Sequence, residues 1–251
     1  MKKYFGWLCF ILLVASVSFF GWKPVAVIKS HKKILNNSLT ARQLLEKYID
    51  NIYESAHLKV SGLDFNVFKK GVTGFINLKA EKKIPRETSI LTLIDYGRSS
   101  QKKRMWIIDL IAKTLILNTW VAHGEGSGRN VANRFSDKID SHASSIGFFL
   151  TDNVYYGKNG RSLRLDGLDE EFNINARARA IVVHGASYVS QKNIRNTGHL
   201  GRSFGCPAVS PKVADRVINT IKAKTVMFIN GGTMHYNSKF LNEDMAAGFV
   251  R

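Results

Sequence analysis

The chain has almost no cysteine, since Cys9 and Cys206 are the only two in 251 residues. Because Cys9 lies in the hydrophobic N-terminus, no framework of structural disulfides can form. The sequence also lacks any Cys-x-x-Cys pair and any finger-like spacing of Cys and His, which argues against a zinc site. With 45% apolar residues, the chain is still able to build a sizeable core without disulfides or a structural metal.

Acidic residues are also scarce. There are 19 Asp and Glu against 37 Lys and Arg, which gives a net charge of +18. Such a surface favours anionic partners, but the basic residues are scattered and no nucleic-acid-binding motif occurs. We therefore expect anionic cell-envelope polymers or lipid head groups as partners rather than nucleic acid. A basic surface that is simply well solvated is the alternative.

The N-terminus has the pattern of a targeting segment. Met1-Lys2-Lys3 is basic, and the residues from Tyr4 to Trp22 include no charged side chain. This predicts a signal peptide or membrane anchor within residues 1–30, with membrane contact only through residues 4–22. No clean cleavage site is present, so removal of the segment stays open. We expect the rest of the chain to be exported to the periplasm or cell envelope, with inner-membrane anchoring as the alternative to cleavage.

The pattern changes from helical to strand-like near residue 89. A capping box at Thr40 and Gln43, followed by apolar residues at helical spacing, predicts a helical extension over residues 38–88. Residues 89–232 predict a mainly β domain that includes a helix at 211–221, and residues 233–251 indicate a polar tail. The predicted strands are 90–94, 105–110, 115–121, 147–151, 154–156, 162–165, 179–183 and 225–229.

Two residues of the β domain have the character of a catalytic pair. His184 ends the apolar run 180–183, and Cys206 lies in a loop between Gly205 and Pro207. An imidazole at a strand end can take the proton of a thiol that a tight loop presents, and the ion pair holds a nucleophile. Each residue also has a purely structural interpretation, since the two must meet in space. A lone thiol in an exported protein favours reactivity.

The segment from His184-Gly185 to Ser203-Phe204-Gly205-Cys206 resembles the active-site signature of the YkuD-type L,D-transpeptidases. Their pattern is His-Gly, a spacer of about fifteen to twenty residues, and Ser-x-Gly-Cys. Within this family the chain looks most like the murein L,D-transpeptidase catalytic-domain-like proteins, and the resemblance covers residues 60–232. The other segments that carry it are 106–118, 120–124, 144–149 and 203–209.

The resemblance implies a YkuD-like β-sandwich or barrel-like catalytic domain that needs neither cofactor nor metal. Such enzymes cleave a D-amino acid from a peptidoglycan tetrapeptide stem, hold the stem as a thioester, and pass it to an amine of a neighbouring stem. Cys206 would be the nucleophile and His184 the general base, oriented by a carbonyl of Gly185 or Ala186. The N–H groups of Gly205 and Cys206 would bind the oxyanion, and Ser203 would hydrogen-bond within the site.

Two departures from the family pattern leave substrate binding open. Phe204 and Ala208 stand where the better-studied branch has histidine and arginine. We expect Arg202 to replace that arginine, and His123 and Gly185 to help form the substrate cleft. A cysteine hydrolase, in which water resolves the thioester, is one alternative function. A non-catalytic module that binds the anionic envelope through its basic surface is the other.

Overall fold

The structure is a computed structural model that describes residues 39–250. The predicted signal peptide or anchor within residues 1–30, including the run 4–22, lies outside the described residues. Within the described part, every helix is too short or too polar to cross a membrane.

Two helices precede the sheet, and both begin at capping residues. The Thr40 hydroxyl accepts a hydrogen bond from the Gln43 N–H at 3.3 Å, and the Gln43 side chain accepts one from the Thr40 N–H at 2.8 Å. The predicted capping box is therefore confirmed. Asp64 caps the second helix by accepting from two backbone N–H groups. The α-helices of the described residues are α1 (Ala41–Ser55), α2 (Phe65–Ala80), α3 (Gln191–Thr197), α4 (Pro211–Ile221) and α5 (Glu243–Phe249).

Within residues 39–250, nine strands form one mixed sheet, which confirms the predicted mainly β fold. Their order in the sheet is β3-β2-β1-β9-β5-β6-β7-β8-β4. The strands β3 and β4 stand at opposite ends of this order, yet only Trp120 separates them in the sequence, so the sheet must curve until it is nearly closed. The strands are β1 (Ile90–Asp95), β2 (Met105–Asp109), β3 (Thr114–Thr119), β4 (Val121–Ala122), β5 (Gly147–Gly157), β6 (Gly160–Gly167), β7 (Val182–Gly185), β8 (Ala208–Val209) and β9 (Val226–Asn230).

Both faces of the central strands are buried, which explains their nearly continuous apolar sequences. In β2, Trp106 and Ile108 pack in one cluster with residues of α1 and α2. Met105 and Ile107 point to the opposite face and pack in a second cluster with residues of α4. Alternate side chains of a strand point to opposite faces, so a strand between two helical layers buries all of them. Full burial of each such side chain contributes about 1.5–3 kcal/mol.

Some predicted boundaries differ from the observed ones. The runs 147–151 and 154–156 form one strand, because a bulge between Thr151 and Val154 keeps both parts paired with β6. The strand predicted at 179–183 begins at Val182, since Ala180 has a φ of +52° and turns the chain. In the segment predicted as a polar tail, α5 forms, and Phe240 is 1% exposed in the cluster around α2. The predicted division into 38–88, 89–232 and 233–251 stays a prediction.

Candidate active site

Cys206 lies at the end of a tight turn that Ser203 shapes. The Ser203 hydroxyl donates a hydrogen bond to the Cys206 carbonyl at 2.6 Å and accepts one from the Gly205 N–H at 3.1 Å. Gly205 has a φ of +119°, and a Cβ at this position would lie 2.9 Å from the Ala143 carbonyl oxygen. A side chain at 205 would therefore be strained twice, by backbone conformation and by contact. Ser203 and Gly205 together set the direction in which Cys206 leaves the turn.

His184 lies within β7, next to the strand that follows Cys206. The pairing of β7 with β8 is parallel and sets His184 opposite Ala208, two residues beyond Cys206. The imidazole Nδ1 lies 3.0 Å from the Gly185 carbonyl oxygen. A carbonyl can only accept, so Nδ1 carries the proton and Nε2 keeps a lone pair. The predicted orienting carbonyl is thus that of Gly185.

The two side chains line the same cleft. Its volume is about 430 Å³, and its walls include Lys158, Arg179 and Arg202 together with aromatic residues. Of the predicted site residues, the structure brings Cys206, His184, Ser203 and Arg202 to this cleft. Its aromatic lining residues are Tyr155, Tyr188 and Phe204. A cleft of this size suits a peptide-sized segment that carries negative charge.

Burial favours the neutral thiol and imidazole in this cleft. Desolvation raises the pKa of Cys206, although the Val182 N–H, 3.5 Å from Sγ, and the nearby Arg179 act in the opposite direction. Desolvation also lowers the pKa of His184, against the effect of the bond to Gly185. Both shifts disfavour the resting ion pair that the residue types suggest. The proton is therefore best moved during attack on a bound substrate.

One predicted oxyanion donor is already engaged. The Gly205 N–H donates to the Ser203 hydroxyl, so it is not free for a ligand. Among the described residues, no acceptor pairs with the N–H groups of Phe204 and Cys206. The Cys206 N–H is thus the free donor nearest to the thiol along the chain.

His123 lies behind the Cys206 turn and does not line the cleft. It is 1% exposed, with Nδ1 2.7 Å from an Arg104 guanidinium nitrogen and Nε2 3.2 Å from the Gly128 carbonyl. Burial and the Arg104 charge lower the pKa of His123 to about 3. Its carbonyl accepts from the Ser203 N–H at 3.0 Å, so this segment braces the turn. Within residues 39–250, no three metal-ligating side chains come together.

Arg179 is a cleft residue that the sequence did not reveal. Its guanidinium donates to the carbonyls of Ser136 and Ala143 at 2.8 and 2.7 Å, and it lies 3.7 Å from Asp137. The charge of Arg179 lowers the pKa of Cys206. Nothing in its local sequence signals this role, because these two partners are 43 and 36 residues away in the chain. Gly185 lies away from the cleft, where a Cβ would be 3.1 Å from Ala214.

Comparison with solved structures identifies several L,D-transpeptidases with low sequence identity. One from Mycobacterium smegmatis is 11% identical with a TM-score of 0.35, over 57% of this chain and 58% of that one. One from Xylanimonas cellulosilytica is 16% identical with a TM-score of 0.32, over 58% and 63%. One from Stackebrandtia nassauensis is 12% identical with a TM-score of 0.35, over 74% and 78%. The chain spans less than two thirds of the first relatives' length.

Comparison with curated proteins finds no match. A match to a family does occur: residues 59–230 fit the family described as the L,D-transpeptidase catalytic domain, YkuD_2. This range holds the whole sheet, His184 and Cys206. The chain belongs to the L,D-transpeptidase catalytic domain family.

Proposed function

We propose that this protein is an exported peptidoglycan L,D-transpeptidase that uses Cys206 as its nucleophile. Family membership supports the reaction class. The observation that supports the roles of the two residues is that Cys206 and His184 line one cleft. Cys206 lies in the turn that leads into β8, His184 lies in β7, and these two strands pair in parallel. Nucleophilic catalysis needs a thiol and a base that share one cavity.

The first step forms a thioester and releases a D-amino acid. The Cys206 Sγ attacks the carbonyl carbon of the diaminopimelate residue in a stem tetrapeptide, and its proton passes to the His184 Nε2. The negative charge that develops on the carbonyl oxygen is stabilised by the Cys206 N–H, and one such donor is worth ~3 kcal/mol. The C–N bond then breaks, and the imidazolium gives its proton to the departing amine.

The second step transfers the stem to an acceptor. An amine of a neighbouring stem attacks the thioester carbon, and His184 takes the proton that this amine loses. The C–S bond breaks, and the thiolate recovers the proton from the imidazolium. The product is a 3–3 crosslink, and Cys206 and His184 return to their starting state. Water in place of the amine would give a carboxypeptidase.

The cleft cations are suited to the carboxylates of a stem peptide. Two residues after the cysteine, where the better-studied branch has arginine, this chain has Ala208. Ala208 is fully buried in β8 and paired with Ala122. An arginine at this fully buried position would need partners for its charge. Arg202 and Lys158 at the cleft walls take its role in holding the substrate, while Arg179 stabilises the thiolate as it forms.

The test is turnover of a disaccharide-tetrapeptide by the purified protein, with products identified by mass spectrometry. We expect crosslinked dimers from wild type and from Cys9→Ala, none from Cys206→Ala, and strongly reduced amounts from His184→Ala. Cys206→Ala and His184→Ala should lower transpeptidation to a similar extent, because the effects of removing members of one catalytic unit are not additive. Free tripeptide without dimer would favour the hydrolase. Absence of any acyl-enzyme, together with retained binding, would favour the non-catalytic binding module.

A further inference from the structure

A second cleft lies apart from the one that holds Cys206. Its volume is about 750 Å³, and the two clefts share no lining residue. It opens where the parallel strands β1 and β9 end, at Asp95 and Asn230. Ligand sites often occur at the carboxyl ends of parallel strands, so the chemistry of this cleft is informative.

Three cationic side chains line the second cleft: Lys59, Lys70 and Arg98. None of them forms a salt bridge with a residue in the range 39–250. Lys59 and Lys70 are exposed. Cations in excess over carboxylates on one concave surface raise the local concentration of anions.

The carboxylates of the same cleft are already committed to the fold. Asp64 accepts from the N–H groups of Asn66 and Val67 at the start of α2. Asp95 accepts from the Gly97 N–H at 3.1 Å and from the Asn230 amide at 2.8 Å. Both carboxylates keep their charge, but neither forms a salt bridge with Lys59 or Lys70 within residues 39–250. Three cations against two carboxylates therefore leave the cleft with one positive charge in excess.

The glycine-rich part of the cleft supplies backbone donors. A Cβ at Gly97 would lie 2.6 Å from the Gly232 Cα, so the two chain segments meet closely here. Gly232 has a φ of +66°. Among the described residues, the N–H groups of Gly232 and Thr233 have no acceptor. Successive N–H groups around a left-handed residue form a concavity that binds anions.

We propose that the second cleft binds carboxylates of a peptidoglycan strand and holds the polymer while Cys206 reacts. Its cations and free N–H groups provide charge-assisted hydrogen bonds for these carboxylates. The identity of the ligand rests on the proposed function, whereas the anion-binding character rests on the cleft alone. Two linked contacts on one polymer raise the effective concentration of stem peptides at the catalytic cleft.

The test measures binding of fluorescently labelled, soluble peptidoglycan strands in a Cys206→Ala background, where no turnover occurs. Lys59→Gln/Lys70→Gln is compared with Lys47→Gln/Lys102→Gln, which removes the same charge from exposed lysines outside the cleft. We expect the cleft variant to weaken the Kd about tenfold at low salt. The control should change it less than twofold. Equal Kd values for the two variants would overturn the proposal.

Two further measurements separate this proposal from the catalytic one. Polyphosphate serves as a second probe, and tighter cleft-dependent binding of polyphosphate than of strands would overturn the assignment to carboxylates. With Cys206 intact, both lysine variants should be acylated by a carbapenem at the wild-type rate. Failure of wild type to be acylated would refute the proposed function, while the binding comparison would still decide the role of the second cleft.

Discussion

Replacing Gly205 by alanine should lower the stability of the protein moderately but the acylation rate of Cys206 strongly, because it displaces the nucleophile. A φ of +119° lies in a sparsely populated region and costs a side-chain-bearing residue ~1–3 kcal/mol. The new Cβ would also lie 2.9 Å from the Ala143 carbonyl oxygen and 3.0 Å from the Ile181 side chain, and such overpacking adds about 1–3 kcal/mol. The sum of ~2–6 kcal/mol lowers the thermal midpoint by about 4–24 °C. A shift of the turn by about 1 Å lowers the acylation rate about a hundredfold.

Gly198→Ala provides the matched control. Gly198 has a φ of +76°, and a Cβ there would have no atom within 4 Å, so alanine incurs only the backbone cost. We expect a loss of ~1–2 kcal/mol and an unchanged acylation rate. The measurements are thermal unfolding of both variants and the rate of carbapenem acylation followed by intact mass. If the carbapenem acylates Gly205→Ala at the wild-type rate, or if the two variants are equally stable, the prediction is wrong.

Four other predictions concern the charged groups and the N-terminus. Burial in the fold lowers the pKa of His123 to about 3. The free energy of unfolding should therefore fall as pH drops from about 6.5 towards 3, by up to ~1.4 kcal/mol per pH unit. Urea titrations of His123→Gln should no longer show this dependence on pH. Arg179→Gln should raise the pH at which iodoacetamide modifies Cys206 half-maximally, whereas Arg202→Gln should raise KM for the tetrapeptide severalfold with little change in kcat. A fusion of residues 1–35 to a reporter active only outside the cytoplasm should be active, and an inactive fusion that is stably produced would contradict export.

Local signals predicted most of the secondary structure. These signals depend only on residues that are close in the sequence. They are the cap at Thr40, the proline at the start of α4, and the apolar runs of β1, β2 and β9. Helix caps and strand patterns are short-range effects, so a single sequence contains them. The same holds for the His184-Gly185 and Ser203–Cys206 segments, whose residue types are visible without a fold.

Long-range contacts account for what the sequence could not predict. The two-residue strands β4 and β8 have no pattern of their own and exist because the sheet curves to pair them. Arg179 reaches the Cys206 cleft only when the segment from Ser136 to Ala143 is folded against it. His123 follows a strand in a polar segment, which is typical of a cleft residue, but its pairing with Arg104 buries it.

We propose that Cys206 attacks the stem peptide with His184 as its base, and mass mapping of the acyl-enzyme shows which residue carries the stem. Wild type is incubated with a disaccharide-tetrapeptide, quenched in acid and digested. We expect a thioester-linked tripeptide stem on the peptide that contains Cys206. This adduct should be absent from Cys206→Ala and strongly reduced in His184→Ala, with both variants at the wild-type thermal midpoint. An adduct on another residue, or full acylation of a folded Cys206→Ala variant, would contradict it.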